Sequence, residues 1–160
     1  ISIMNNKIII NKTLKPFNKI IEIEGDKSLS IRCVLLASQA NGKSKITNLL
    51  KSEDVLNTIN SLRKLGINFI FNKNKCEIFG LGLNSYNYKK NITLNTGNSG
   101  TLARLIIGLL IHSKEKIKII GDKSLSKRDF FRVTKPLEKF GAKFKTHNGK
   151  LPIIVKGTAN

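Results

Sequence analysis

The apolar positions of this chain follow two rhythms. Short alternating or β-branched runs read as strands: 7–11 (Lys-Ile-Ile-Ile-Asn), 20–24 (Ile-Ile-Glu-Ile-Glu), 45–49, 67–71, 76–79, 116–120, 142–146 and 151–156. Apolar residues three or four apart read as helices. The first helix is expected to start at Ser28 or Ser30, either of which can cap it. Its apolar face is read as Cys33, Leu35, Leu36 and Ala40, and Asn41-Gly42 as its stop. The second starts at Ser52-Glu53-Asp54, with acids in its first turn as the helix dipole favours. It buries Val55, Ile59, Leu62 and Leu65 and stops at Gly66. The third, 99–112, follows a glycine-rich turn and is apolar through 105–111. The fourth, 130–140, closes in Gly141 and carries Pro136, which removes one hydrogen bond and predicts a kink. Polar turns at 72–75 and 147–150 make the flanking strand pairs into hairpins.

Read in order, residues 20–90 and 91–160 each give strand, helix, strand, helix, strand, strand, which predicts an α/β fold of two βαβαββ units. The chain also repeats itself. Gly121-Asp122-Lys123-Ser124-Leu125-Ser126-Lys127-Arg128 copies Gly25-Asp26-Lys27-Ser28-Leu29-Ser30-Ile31-Arg32 at every position but one. Two such glycine-led helix starts in equivalent places could face one cleft.

Chemistry concentrates where loops meet helices. In Thr96-Gly97-Asn98-Ser99-Gly100-Thr101-Leu102-Ala103-Arg104 the glycines allow close backbone approach, and Asn98, Ser99 and Thr101 offer acceptors to the first-turn amides. Unpaired amides and the positive end of a helix dipole favour an anion, towards which Arg104 can reach back. Taken alone, an ordinary helix cap explains the same residues equally well. Ser28 and Arg32 are four apart and share a helix face, with Lys27 just before them. Lysine, hydroxyl and guanidinium around a helix start make a phosphate or carboxylate cradle.

Composition changes this picture in one respect. The 160 residues carry a formal net charge of +19, which fits nucleic acid, an acidic membrane surface or a multiply anionic small molecule. The lysines are scattered, only five basic residues are Arg, and there is no Trp to interleave with them. A stacking nucleic-acid groove is therefore disfavoured, and part of the charge is compositional. Cys33 and Cys76 lack metal-ligand spacing and read as reduced thiols, and His112 and His147 stand alone. The opening residues, with a first Met at Met4, are not expected to form a secretory leader, and no apolar run is long enough to span a bilayer. A cytoplasmic location is expected.

Three ordered motifs carry a resemblance. Glu24-Gly25-Asp26-Lys27-Ser28-Leu29-Ser30-Ile31-Arg32 is similar to P-G-[SD]-K-S-x-[ST]-x-R, Gly97 to Arg104 contains G-N-[AS]-G-T-x-x-R, and Gly121 to Arg128 is similar to G-D-x-S-L-x-x-R-P. Leu49-Leu50-Lys51-Ser52-Glu53-Asp54 matches L-L-x-S-x-D between them. Together they resemble the 5-enolpyruvylshikimate-3-phosphate synthase family, the target of glyphosate. That resemblance implies an enolpyruvyl transferase fold of two domains, each of three βαβαββ units. Residues 1–19 would then supply an opening strand of the other domain, 20–160 two units of a partial domain, and the whole chain an N-terminal fragment. It implies transfer of the carboxyvinyl group of phosphoenolpyruvate to shikimate 3-phosphate in aromatic amino acid biosynthesis, by a monomer using no metal or cofactor, with neither nucleic acid nor membrane as partner. By motif match, Lys27, Ser28 and Arg32 would bind shikimate 3-phosphate. Lys27, Gly100 and Arg128 would bind phosphoenolpyruvate, and Asn98, Thr101 and Arg104 would support the pocket. The family's acid and base residues would fall beyond Asn160, so no catalytic residue is expected among these 160 and the chain alone is expected to be inactive.

Three departures stand out. Glu24 and Asp129 replace prolines, and Asp26 replaces a common Ser, with a structural turn role suggested by its twin Asp122. Two alternatives share part of this pattern. The sister UDP-N-acetylglucosamine enolpyruvyl transferases carry a reactive Cys in the third region, where this chain has none. A basic anion- or nucleic-acid-binding fragment without catalysis would account for the charge but not for the motifs.

Overall fold

The computed structural model describes residues 2–4, 7–9, 13, 15–16, 18–73 and 75–158. Strands β1 (Ser2–Met4) and β2 (Lys7–Ile9) form an antiparallel pair; Ile10 and Asn11, expected to continue β2, lie outside the described residues. The rest is two sheet-and-helix units around one apolar core. The first contains α1 (Lys27–Gln39), β3 (Asn41–Thr47), α2 (Glu53–Lys64), β4 (Asn68–Asn72) and β5 (Lys75–Leu81). The second contains β6 (Thr93–Asn95), α3 (Gly100–Leu109), β7 (Ile117–Ile120), α4 (Phe131–Glu138), β8 (Lys143–His147) and β9 (Lys150–Lys156).

Unit two is a complete βαβαββ unit. Its sheet runs β6-β7-β9-β8, with β6 and β7 parallel and the other pairs antiparallel. Unit one matches it except at its first strand: the sheet is β3-β5-β4, all antiparallel, and residues 20–24 are not in a strand. The alternation there promised one, but Ile20, Ile21 and Ile23 are 98, 67 and 79% exposed. Among the described residues the segment is tied to the end of β3 by one bond, from Asn48 Nδ2, just past the strand, to the Ile23 carbonyl. A strand forms where its apolar side finds something to cover. In β3 the sole large apolar residue is Ile46, and its Lys43, Lys45 and Thr47 are exposed. Leu94 of β6, by contrast, is fully buried, and Lys64 Nζ and Ser61 Oγ bond the carbonyls of its neighbours Thr93 and Asn95.

The helices correct further expectations. Neither Ser28 nor Ser30 caps α1. Asp26 does, its Oδ1 accepting the Leu29 amide at 2.7 Å, while Ser30 Oγ accepts the Leu50 amide. The buried face of α1 is Ile31, Val34, Leu35, Ala37 and Ser38; Cys33 and Leu36 face outward, and Ala40 is only partly buried. Residues 33–36 are apolar without interruption, so two stripes were available. The one chosen is set by α2, β5 and α3, which pack on this helix. Asn41-Gly42 opens β3, which therefore starts and ends earlier than expected. α2 follows its pattern closely: Val55, Ile59, Leu62 and Leu65 are 2% exposed or less, and Gly66 ends it at φ +90°. α3 and α4 are shorter than expected; Pro136 lies inside α4, which ends two residues later. No helix among the described residues is long and apolar enough to cross a membrane.

Candidate functional site

The two octapeptide copies do not occupy equivalent places. The first starts α1. The second follows β7 and makes a short 3-10 turn, Leu125–Lys127, before α4. The structural counterpart of the first copy is the glycine-rich turn ahead of α3. These two stretches of unit two are joined directly. The Thr96 amide and hydroxyl both bond the Ile120 carbonyl, and the Asp122 amide bonds the Gly97 carbonyl at 2.8 Å. Ser99 caps α3 by accepting the Leu102 amide, so Asn98 and Thr101 are not needed as caps.

That joining brings cations to one point. A Cβ on the buried Gly100 would stand 2.9 Å from Arg104 Nη1 and 3.1 Å from Arg128 Nη1, so both guanidinium groups lie against this glycine. Arg128 Nη2 also donates to Asn98 Oδ1 at 3.4 Å. Burial, with Arg132 and Arg128 alongside, pulls the Arg104 guanidinium below its ordinary pKa, against the opposing pull of Asp129. Two of the chain's five arginines thus meet at Gly100, with the charge of Arg132 felt nearby. Like charges repel at this range, so the arrangement is suited to an anion that neutralises them.

The first cradle is more open. Lys27 Nζ pairs with Asp54 Oδ2 at 3.0 Å, while among the described residues Ser28 and Arg32 make no side-chain hydrogen bond or ion pair. Thr101, half-buried on the first turn of α3, likewise has no side-chain bond. The start of α2 links both regions: Asp54 holds Lys27, and one turn on, Asn57 Nδ2 lies where a side chain on Gly97 would go. A cavity of about 260 Å³ beside Gly25, lined by Asn48, Leu50, Lys51, Phe71 and Lys75 among others, takes in none of Lys27, Arg32, Arg104 or Arg128. Lys27, Arg32 and Arg128 are exposed, whereas Arg104 is partly buried.

Sequence reading missed Asp54, Asn57, Phe130 and Arg132. Asp54 had a signal, as the final residue of L-L-x-S-x-D; Asn57 and Phe130 had none, because their parts depend on neighbours distant in sequence. The departing aspartates Asp26 and Asp129, and Asp122 with them, have plain structural work. Asp26 and Asp122 cap the first turns of the two octapeptide copies, and Asp129 Oδ1 accepts the Phe131 amide at the start of α4.

Comparison with known proteins gives the family. The model of the family EPSP synthase (3-phosphoshikimate 1-carboxyvinyltransferase) matches residues 11–160. The chain belongs to the EPSP synthase family. It is 43% identical over 148 residues to the 3-phosphoshikimate 1-carboxyvinyltransferase of Ruthia magnifica subsp. Calyptogena magnifica, covering 90% of this chain and 34% of that protein. It is 41% identical over 152 residues to the protein of the same name from Vesicomyosocius okutanii subsp. Calyptogena okutanii, covering 95% and 34%. The solved structure of EPSP synthase from Acinetobacter baumannii superposes with a TM-score of 0.80 at 34% identity, covering 86% of this chain and 32% of that one. The chain therefore spans about a third of the length of the curated relatives it matches. Its mixed α/β architecture is that of an enolpyruvyl transferase, as the motifs implied.

Proposed function

We propose that this chain forms a substrate-binding face of a transferase that moves the carboxyvinyl group of phosphoenolpyruvate to the 5-hydroxyl of shikimate 3-phosphate and releases phosphate. The observation that carries this reading is the convergence of Arg104 and Arg128 on the buried Gly100, held by bonds between two motif segments. Relatives bearing the name 3-phosphoshikimate 1-carboxyvinyltransferase support it over the UDP-N-acetylglucosamine alternative and over a basic fragment without catalysis.

In this reading Lys27, Ser28 and Arg32 hold shikimate 3-phosphate. Gly100 and Arg128 hold phosphoenolpyruvate, Lys27 is shared, and Asn98, Thr101 and Arg104 brace the pocket. The substrate hydroxyl attacks C2 of phosphoenolpyruvate as C3 is protonated, and the tetrahedral adduct then expels phosphate. Two dense anions must first be held together against their repulsion. The cations supply that, as proximity and electrostatic stabilisation. Asp54 pairs with Lys27 and orients it. None of these residues is assigned as general acid or base. The partners are small molecules, and the location is cytoplasmic.

Calorimetric titration of the chain with shikimate 3-phosphate and then phosphoenolpyruvate tests the reading. Binding of both, with phosphoenolpyruvate affinity reduced about tenfold or more by Arg128→Ala, is expected, since a charged hydrogen bond is worth roughly 1.5–3 kcal/mol. Indifference to both substrates, together with salt-sensitive binding of arbitrary nucleic acid, would overturn it.

A further inference from the structure

We propose that Phe130 is a positioning residue whose ring face holds the Arg104 guanidinium against Gly100 and Arg128, so that the anion site is assembled before an anion arrives. The inference rests on the anion-binding reading of this site and deepens it.

Arg104 is in an awkward position. Its neighbours Arg128 and Arg132 repel it, its Nε is buried without a hydrogen-bond partner, and among the described residues it makes no ion pair. The nearby Asp129 accepts the Phe131 amide through Oδ1 and forms no ion pair with Arg104. A long, flexible side chain so placed would ordinarily swing into water. What faces it instead is the Phe130 ring, whose centroid is 5.3 Å from Arg104 Cζ, within the range of cation–π attraction.

The ring is itself fixed. Phe130 is fully buried, its amide bonds the Gly149 carbonyl at 2.9 Å, and its carbonyl accepts the amides of Val133 and Thr134 as α4 begins. The hairpin turn is held close: a side chain on Gly149 would collide with Phe131 and Asp129. A chain of contacts thus runs from the β8–β9 turn through Phe130 to Arg104 and Gly100. An aromatic face has an advantage over a carboxylate in this place. It attracts the guanidinium through its quadrupole yet adds no net negative charge, so the cation keeps its full pull on an incoming anion.

The experiment uses the whole 160-residue chain. Position 130 is filled in turn with phenylalanine, 4-fluorophenylalanine and 3,4,5-trifluorophenylalanine, and Phe130→Leu is made alongside. Fluorination drains the ring quadrupole while nearly preserving shape, so a purely packing role would not register it. Inorganic phosphate and phosphoenolpyruvate are titrated calorimetrically, and the Arg104 Nε–H resonance is followed by NMR. The proposal expects the dissociation constants to rise stepwise with fluorination, reaching about fivefold in the trifluoro chain. The Arg104 resonance should move in step from a ring-shifted position towards its free-chain value, with the urea midpoint unchanged. Flat affinity and a stationary Arg104 resonance across the series would overturn it. An Arg104 resonance that follows fluorination in a chain that binds neither probe would support the positioning role and overturn the substrate-binding reading instead.

Discussion

The two copies of Gly-Asp-Lys-Ser-Leu-Ser-x-Arg start alike and end differently. In each, the aspartate side chain accepts the amide of the leucine three residues on, at 2.7 Å for Asp26 and 2.6 Å for Asp122. In each, the aspartate carbonyl accepts the amide of the second serine at 2.9 Å. The first turn is thus written in the motif. After it, the first copy continues as α1 to Gln39, whereas the second stops after a 3-10 turn and Arg128 becomes extended at φ −75°, ψ 150°. The single mismatch falls where the paths part. Ile31 is fully buried, and its counterpart Lys127 is exposed. Downstream, Val34 and Leu35 carry the buried stripe of α1 onward, while Asp129 and Phe130 restart the chain as α4. The same local signal gives one arginine on a helix face and another released towards Gly100.

Substitutions can break this contrast, and the largest effect is expected at its hinge. Ile31→Lys places an unpaired ammonium in the core and should cost about 4 kcal/mol or unfold the chain, as read by urea denaturation. A cost under about 1 kcal/mol would mean that burial at this position does not sustain α1. Next in size is Gly100→Ala, whose new methyl meets both guanidinium groups. Phosphoenolpyruvate affinity should fall about tenfold, or ~1.4 kcal/mol, with a smaller change for shikimate 3-phosphate. Equal losses for both ligands would remove Gly100 from the phosphoenolpyruvate side.

Asp26→Ala and Asp122→Ala sharpen the shared half of the comparison. Each should cost about 1 kcal/mol, the worth of an N-cap, and the two costs should agree. A clear loss for one alone would show that the two first turns are not energetically alike. The smallest effect is expected for Lys127→Ile. It should change stability by about 0.5 kcal/mol or less and leave helical circular dichroism unchanged, because Asp129 and Phe130 still redirect the chain. A gain in helicity would make residue 127 by itself the stop.

Much of this was readable residue by residue. The stripe of α2, its stop at Gly66, both hairpins and the three motifs depend on interactions spanning a few residues, which the chain displays directly. The α/β class and the paired units followed from their order. The misreadings share a cause. The face of α1 that is buried, and the absence of a strand at 20–24, depend on which surfaces other segments leave open. The candidate residues themselves were legible from their motifs, but their grouping was not. Arg104, Arg128 and Gly100 meet because β6 pairs with β7 and the Asp122 amide reaches the Gly97 carbonyl, and Arg104 lies over Phe130 because α4 begins beside that pairing. The stripe of α2, its glycine stop and the hairpin turns belong to the sequence alone, since they rest on residues a few positions apart. The convergence of like charges on one glycine belongs to the tertiary structure, since only packing between distant segments holds together groups that repel.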